Sequence, residues 1–567
     1  MSNENEQRSG KKQGRSAPLS EVDGDRYYTH WADIAARRTH ERNADVTQFT
    51  VAAGITPSGV IHVGNFREVI TVDLVARALR DRGVDVRFIY SWDDFDVFRK
   101  VPVDMPEQDM LQGQLRRSVA DVPDPFGETD SYASHHILQF ERSLDPLRIE
   151  PEFIRQSRRY RAGDYAEGIV KALDGRTEIR RILDQHRKEP LPESWLPLAG
   201  FCAECGRDEI DFAWSGDGLG DEDPMRWQVR MHCRTCDHDG EVDLREGGDV
   251  KLPWRVDWPM RWNEEQVHFE PGGKDHSSAG GSYDTASEIV AAIYDFHAPE
   301  YVAYDFVRIK GRGGKISSSA GEAVTVADCL QIYEPDMLRW IFASVRPGSE
   351  FQISFDLDVI KLYEDYDRAR RLAHEAEDGG KSDKKRQIAR RTFELASGTG
   401  EQIVPGTEPP FVPPFRGLTM ILQIFDGEIA KSRAHYEATG EITTPEEAEL
   451  HDQRAECAWE WIELYAPDDF RYRIREEPVE RALEGDDRIV IERLFTVLAE
   501  NPKIEEPELI EALKRLCEGT GHEPKTFFPI AYDLLLGRDR GPKLSTLITT
   551  MGAQRALPLL RGGLGGD

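Results

Sequence analysis

The stretch from Gln48 to Tyr90 constrains the chain more than any other. Gln48-Phe49-Thr50-Val51-Ala52-Ala53-Gly54 is a short apolar run and reads as a buried strand. After a Pro57/Gly59 turn, apolar residues recur at helical spacing from about Val63 to Arg80, at Phe66, Val69, Ile70, Val72, Val75 and Leu79. Gly83 ends this helix, and Val84 to Tyr90 is a second strand. Strand, helix, strand in so short a span is a βαβ unit. It requires a parallel sheet, and such sheets bind ligands in the crevice at the carboxyl ends of their strands.

The first strand-to-helix turn carries Gly54-Ile55-Thr56-Pro57-Ser58-Gly59-Val60-Ile61-His62-Val63-Gly64-Asn65. Exposed backbone N–H groups and the positive end of a helix favour a triphosphate there. His62 and Asn65, three positions apart in the first turn, can both face it, and Gly64 lets adenine or ribose approach the backbone. A second string, Gly311-Arg312-Gly313-Gly314-Lys315-Ile316-Ser317-Ser318-Ser319, follows the strand-like Phe306 to Ile309. A lysine on a glycine-rich loop followed by hydroxyls is a mobile cationic lid, suited to charge developing on an α-phosphate and a departing pyrophosphate.

Four of the 7 cysteines form two CxxC pairs, Cys202/Cys205 and Cys233/Cys236, separated by 27 residues. Together they can supply four thiolates to one tetrahedral zinc, closed to water and therefore structural; the alternative is two reduced pairs without metal. Cys329, Cys457 and Cys517 stand alone and read as small core residues.

At 567 residues the chain exceeds one compact core, and its length suggests about three or four domains. No apolar run approaches the ~18 residues of a membrane span. Met1 to Ser20 is polar, without a signal peptide's apolar centre, and reads as a disordered tail on a cytoplasmic protein. The net charge of −31 opposes nucleic-acid binding at ordinary ionic strength. Asp and Glu are spread along the whole chain, however, and there are roughly three arginines for each lysine. An even acidic coat suits molar salt, where the Debye length falls to about 3 Å, so a halophilic source is expected.

His62-Val63-Gly64-Asn65 resembles the HIGH motif of class I aminoacyl-tRNA synthetases, and Lys315-Ile316-Ser317-Ser318-Ser319 resembles their KMSKS motif. Asn65 replaces the final His, and Ser318 replaces the second Lys. Lys315 is left as the lid lysine, with Lys310 and Arg312 nearby. From about Tyr27 to the C-terminal helices the chain resembles class I lysyl-tRNA synthetase, the form found mainly in archaea. The strings that carry the resemblance are TPSGVIHVGNFREV, SWDDFDVFRKVP, KLPWRVDWPMRW, GGKDHSSAGGSYD and GKISSSAG. Tryptophanyl-tRNA synthetases share the PSG-plus-HxGN pattern but are usually shorter and lack the DDFD–RKVP string and the cysteine insertion.

The resemblance implies an α/β fold with a Rossmann-like parallel-sheet catalytic domain, a zinc-binding insertion and a mainly α-helical C-terminal domain. The corresponding boundaries are a tail at 1–20, catalytic halves at 21–190 and 251–319, an insertion at 191–250, a stem-contact region at 320–375 and an anticodon-binding domain at 376–567. It implies ATP and Mg²⁺, L-lysine and tRNA(Lys), transfer to the terminal 2′-hydroxyl, and no membrane or DNA partner. ATP contacts fall on Pro57, His62, Gly64, Asn65, Lys315, Ser317 and Ser318, with His62, Asn65 and Lys315 catalytic. Lysine contacts fall on Gly54, Thr56, Trp254, His276 and Tyr304. A lysine ammonium also needs carboxylates, and Asp93, Asp94, Asp96 and Asp305 are at hand, Asp93 first among them. Lys384-Lys385-Arg386, Arg390-Arg391 and Arg538 to Lys543 are candidate phosphate contacts. A regulatory tRNA-binding protein without catalysis, or a zinc protein that binds nucleic acid only, remains as an alternative reading.

Overall fold

The computed structural model describes residues 30–277, 280–310, 323–479 and 482–565. Helix α1 (Trp31–Arg42) precedes the βαβ unit, which is strand β1 (Gln48–Ile55), helix α2 (Val63–Arg80) and strand β2 (Asp85–Trp92). β1 pairs in parallel with β2, placing Gly54 opposite Ser91, and β2 pairs in parallel with β3 (Glu152–Arg155). The other edge of β1 takes the parallel strand Val267–Phe269. β1 is thus internal to the sheet, which explains its unbroken apolar run. Phe49, Val51 and Ala53 enter one core, and Ala52 enters the other.

The first core joins α1 and α2 to Val326–Ile332, Pro335–Ser344, Asp358–His374 and Pro445–Leu464, and reaches Ala466. The second packs Ala166–Asp174, Arg176–Asp184, Trp254–Glu264 and Ser282–Ile293 on the opposite face of the sheet, together with the base of the insertion. A third core gathers Ile424 with side chains from Ile474 to Leu560. The insertion itself is an antiparallel sheet of Ile210–Trp214, Gln228–Cys233 and Asp239–Asp243. Among the described residues no helix is long and apolar enough to cross a membrane.

Between the helices Pro335–Ser344 and Asp358–His374 lies the short strand Phe351–Ile353, parallel to Val307–Ile309. Three residues are too few to show a period. Helix Asp383–Ala396 is fixed at its start by the Asp383 carboxylate, which accepts the Asp378 and Gly379 N–H groups at 3.2 and 2.7 Å.

The basic clusters on this part of the chain are largely structural. Arg390 pairs with Glu377 at 2.6 Å, and buried Arg391 pairs with Asp33 of α1 at 2.7 Å and with Asp81 at 2.8 Å. Arg538 donates to the backbone carbonyls of Asp469 and Arg471. Lys384 and Lys385 stay exposed.

Candidate active site

The carboxyl ends of β1 and β2 open into a cleft of about 590 Å³. Gly54, Thr56, His62, Gly64, Asn65, Asp93, Trp254, His276 and Tyr304, nine positions named from sequence, line it together. Pro57 is buried in the turn rather than on the cleft wall. Lys315, Ser317 and Ser318 lie outside the described residues.

At one end of the cleft, α2 begins. His62 is its N-cap, and Asn65 Oδ1 accepts the His62 N–H at 3.2 Å, so Asn65 closes the helix start as well as facing the cleft. A Cβ on Gly64 would lie 2.8 Å from the His62 imidazole, so only glycine lets that ring fold back over the first turn. The Val63 N–H donates to Val324 O at 2.8 Å, and His62 bridges to Thr325, tying this end to the chain just beyond residue 322.

At the other end the cleft narrows into an inner pocket of about 70 Å³ lined by Gly54, Glu68, Asp93, Trp254, Trp258, Arg261, Glu270 and His276. Gly54 is required here because a Cβ would meet Ser91 O at 2.7 Å. Its N–H donates to Glu68 Oε1 at 2.9 Å, and the Tyr304 hydroxyl donates to Glu68 Oε2 at 2.6 Å. Burial raises the Glu68 carboxyl to about 7, against the pull of those two bonds, and the nearby Glu270 and Asp93 charges add to the rise. Trp258 and Trp262, one helical turn apart, donate their indole N–H groups to Glu270 at 3.0 and 2.6 Å. Burial raises the Glu270 carboxyl as well. Trp254 continues this aromatic row, its ring 4.6 Å from Trp258 and 5.8 Å from His276, and stays 38% exposed to the cleft.

The acidic run after β2 divides its duties. Asp93 reaches the pocket but bonds Arg261 at 2.8 Å, and Arg261 also bonds Ser91 and Asp257. Asp94 turns away and accepts from Ser157 N and Oγ at 2.8 and 2.7 Å. Asp96 accepts from Thr56 Oγ1 at 2.9 Å and from buried Lys251 at 2.7 Å. Thr56 is therefore oriented by a carboxylate. Asp305 pairs with Lys274 at 3.0 Å at the cleft mouth.

Sequence reasoning missed Glu68, Arg261 and Glu270. Glu68 lies three residues after Asn65, on the same helical face, and that spacing was the available signal. The inner pocket holds three carboxylates, those of Glu68, Asp93 and Glu270, against the single guanidinium of Arg261. Its lining thus carries more carboxylates than cations.

Away from the cleft, the four cysteine sulfurs lie within 4.8 Å of one another, with Cys202–Cys236 at 3.6 Å and Cys205–Cys233 at 3.7 Å. Tetrahedral zinc with thiolates at about 2.3 Å sets sulfurs roughly 3.8 Å apart, so the donor set fits. Each pair folds into the same knuckle: Gly206 N donates to Cys202 O, Asp237 N donates to Cys233 O, and both donors have positive φ, 72° and 56°. Protein purified without chelators is expected to carry about one zinc per chain by elemental analysis, and Cys205→Ser to lose it. Metal-free wild-type protein would refute the assignment.

Residues 29–399 match the family model described as tRNA synthetases class I (K). The chain is 41% identical over 538 residues to the lysine–tRNA ligase of Treponema pallidum (strain Nichols), across 93% of this chain and 97% of that protein. It is 41% identical to the lysine–tRNA ligase of Borreliella burgdorferi, across 93% of this chain and 98% of that protein. The lysine–tRNA ligase of Thermococcus kodakarensis is 36% identical, across 94% and 99% of the respective chains. With the family model spanning most of its length and relatives aligned nearly end to end, the chain belongs to the class I lysyl-tRNA synthetase family.

Proposed function

We propose that the chain activates L-lysine with ATP to lysyl-adenylate and transfers the lysyl group to the 2′-hydroxyl of the terminal adenosine of tRNA(Lys). The observation that carries this reading is the pair Glu68 and Glu270. Both are half-buried carboxylates lining one pocket, and the hydrogen bonds described at each come only from neutral donors. A lysine ammonium entering there meets the charge that the protein leaves unbalanced. Trp254 packs its methylenes, and Tyr304 and Gly54 fix the Glu68 carboxylate that receives it.

In the first step the lysine carboxylate attacks the α-phosphorus and pyrophosphate leaves. His62 and Asn65 orient the triphosphate at the positive end of α2, and Lys315 meets the charge developing on the phosphates. Mg²⁺ bound with the triphosphate would neutralise part of that charge. In the second step the 2′-hydroxyl attacks the adenylate carbonyl and AMP leaves. Catalysis rests on positioning and charge stabilisation. Zinc at the four cysteines braces the insertion, whose position between the catalytic halves suits a support for the tRNA acceptor end. The helices beyond residue 376 read the anticodon arm. The acid-rich chain works in the cytoplasm of a halophile, so assays belong in molar KCl.

Charging of total tRNA in molar KCl with each of the twenty amino acids is expected to attach lysine alone at high efficiency. Pyrophosphate exchange should be run with and without tRNA. A preference for tryptophan would overturn the lysine assignment while leaving the class I reading in place.

A further inference from the structure

Arg67 follows the nucleotide-facing Asn65 by two positions on α2 and precedes Glu68, and it is buried at 3% exposure. Among the described residues its guanidinium bonds no carboxylate. It donates to four backbone carbonyls instead: Phe306 at 3.4 Å, Arg346 at 3.0 Å, Pro347 at 2.8 Å and Ser349 at 2.9 Å. Its flat face lies 4.9 Å from the Phe351 ring centroid. A planar fork of five donors can satisfy several carbonyls at once, which an ammonium on a flexible stem cannot.

The four carbonyls belong to the amino-terminal approaches of two paired strands, Val307–Ile309 and Phe351–Ile353. Asp305 N–H donates to Pro347 O at 2.8 Å and closes the same junction. Two consecutive side chains of α2 therefore grip one short stretch, Glu68 at the Tyr304 hydroxyl and Arg67 at the Phe306 carbonyl. Tyr304, Phe306 and Val307 all line the cleft.

We propose that Arg67 is a positioning residue for adenylation. It holds the stretch Tyr304–Ile309 at a fixed distance from His62 and Asn65, so that the amino-acid and nucleotide ends of the cleft share one frame. This rests on the function proposed above. Burial pulls the guanidinium down to about 10, with Asp305 opposing the fall, so it keeps its charge at neutral pH. The cost of burying that charge is offset only while the four carbonyls stay in place, which makes the clamp a stringent reporter of their arrangement.

The test uses the full chain in molar KCl with tRNA present, comparing wild type, Arg67→Ala and Arg67→Lys, each first shown by circular dichroism to be folded. Arg67→Ala is expected to lower the rate of lysine-dependent pyrophosphate exchange about 10²-fold, the scale of a misplaced reacting group. Lysine affinity by calorimetry should change by no more than roughly threefold, because the loss falls on the transition state. Millimolar methylguanidine should recover part of the rate in Arg67→Ala, and Arg67→Lys should lie between the two. Hydrogen exchange should accelerate at the amides of Val307–Ile309 in Arg67→Ala. Wild-type exchange rates in folded Arg67→Ala would overturn the proposal, and so would a lost rate that neither methylguanidine nor lysine recovers. If wild type itself shows no lysine-dependent exchange, the proposed function falls. Unchanged hydrogen exchange at Val307–Ile309 would then dispose of the clamp separately.

Discussion

Glu68→Gln is expected to raise the KM for lysine about 10²-fold, with far less change in the KM for ATP. Glutamine keeps the shape and the contact with Gly54 and Tyr304 but removes the charge that meets the ammonium. Truncating one partner of a buried, hydrogen-bonded charge pair costs about 2–5 kcal/mol, mostly through leaving the other unmatched. The wild-type protein should also show a pH signature. With its carboxyl raised to about 7 by burial, Glu68 holds a proton in much of the empty protein below neutrality. A cation in the pocket favours the ionised form, so lysine binding expels that proton. Affinity therefore rises as pH climbs toward 7 and levels off above it. Calorimetry in buffers of different ionisation enthalpy reads the proton directly, and Glu68→Gln should flatten the profile. A flat wild-type profile would remove Glu68 from the lysine site.

His62→Ala and Lys315→Ala are each expected to slow adenylation by roughly 10²-fold or more, the loss of one preorganised stabiliser. Lysine binding should be little altered, since these groups act on charge that develops only at the α-phosphate and pyrophosphate. For His62 the structure adds a condition. The ring folds back over Gly64, so Gly64→Ala, whose Cβ would lie 2.8 Å from it, should mimic His62→Ala in kcat while keeping the imidazole. Near-wild-type activation by either His62→Ala or Lys315→Ala, measured by pyrophosphate exchange, would place the active site elsewhere.

The βαβ unit was legible because its apolar periods are local: β1 and α2 can be drawn from consecutive residues alone. The four-cysteine cluster was legible for a related reason, since CxxC spacing carries its own geometry. Glu68 was not, because a glutamate one turn into a helix has the pattern of a solvated face. Its contact partner Tyr304 lies 236 positions away. The acidic run at 93–96 could be recognised as belonging to the site but not apportioned, because Arg261, Ser157 and Lys251 each claim a different member. Arg390 and Arg391 misled for the converse reason: a cluster of like charges looks solvated until the partners Glu377 and Asp33 are known.

The internal place of β1 has a consequence for synthesis on the ribosome. Its hydrogen-bonding neighbour on one side, around His268, lies 218 positions downstream, and Asp33 of α1 waits 358 positions for Arg391. At about 5–20 residues per second, the sheet edge of β1 stays open for roughly 10–40 s after that strand is made. For that interval the emerging chain carries an apolar strand with an unsatisfied backbone edge, a template for pairing with other nascent chains.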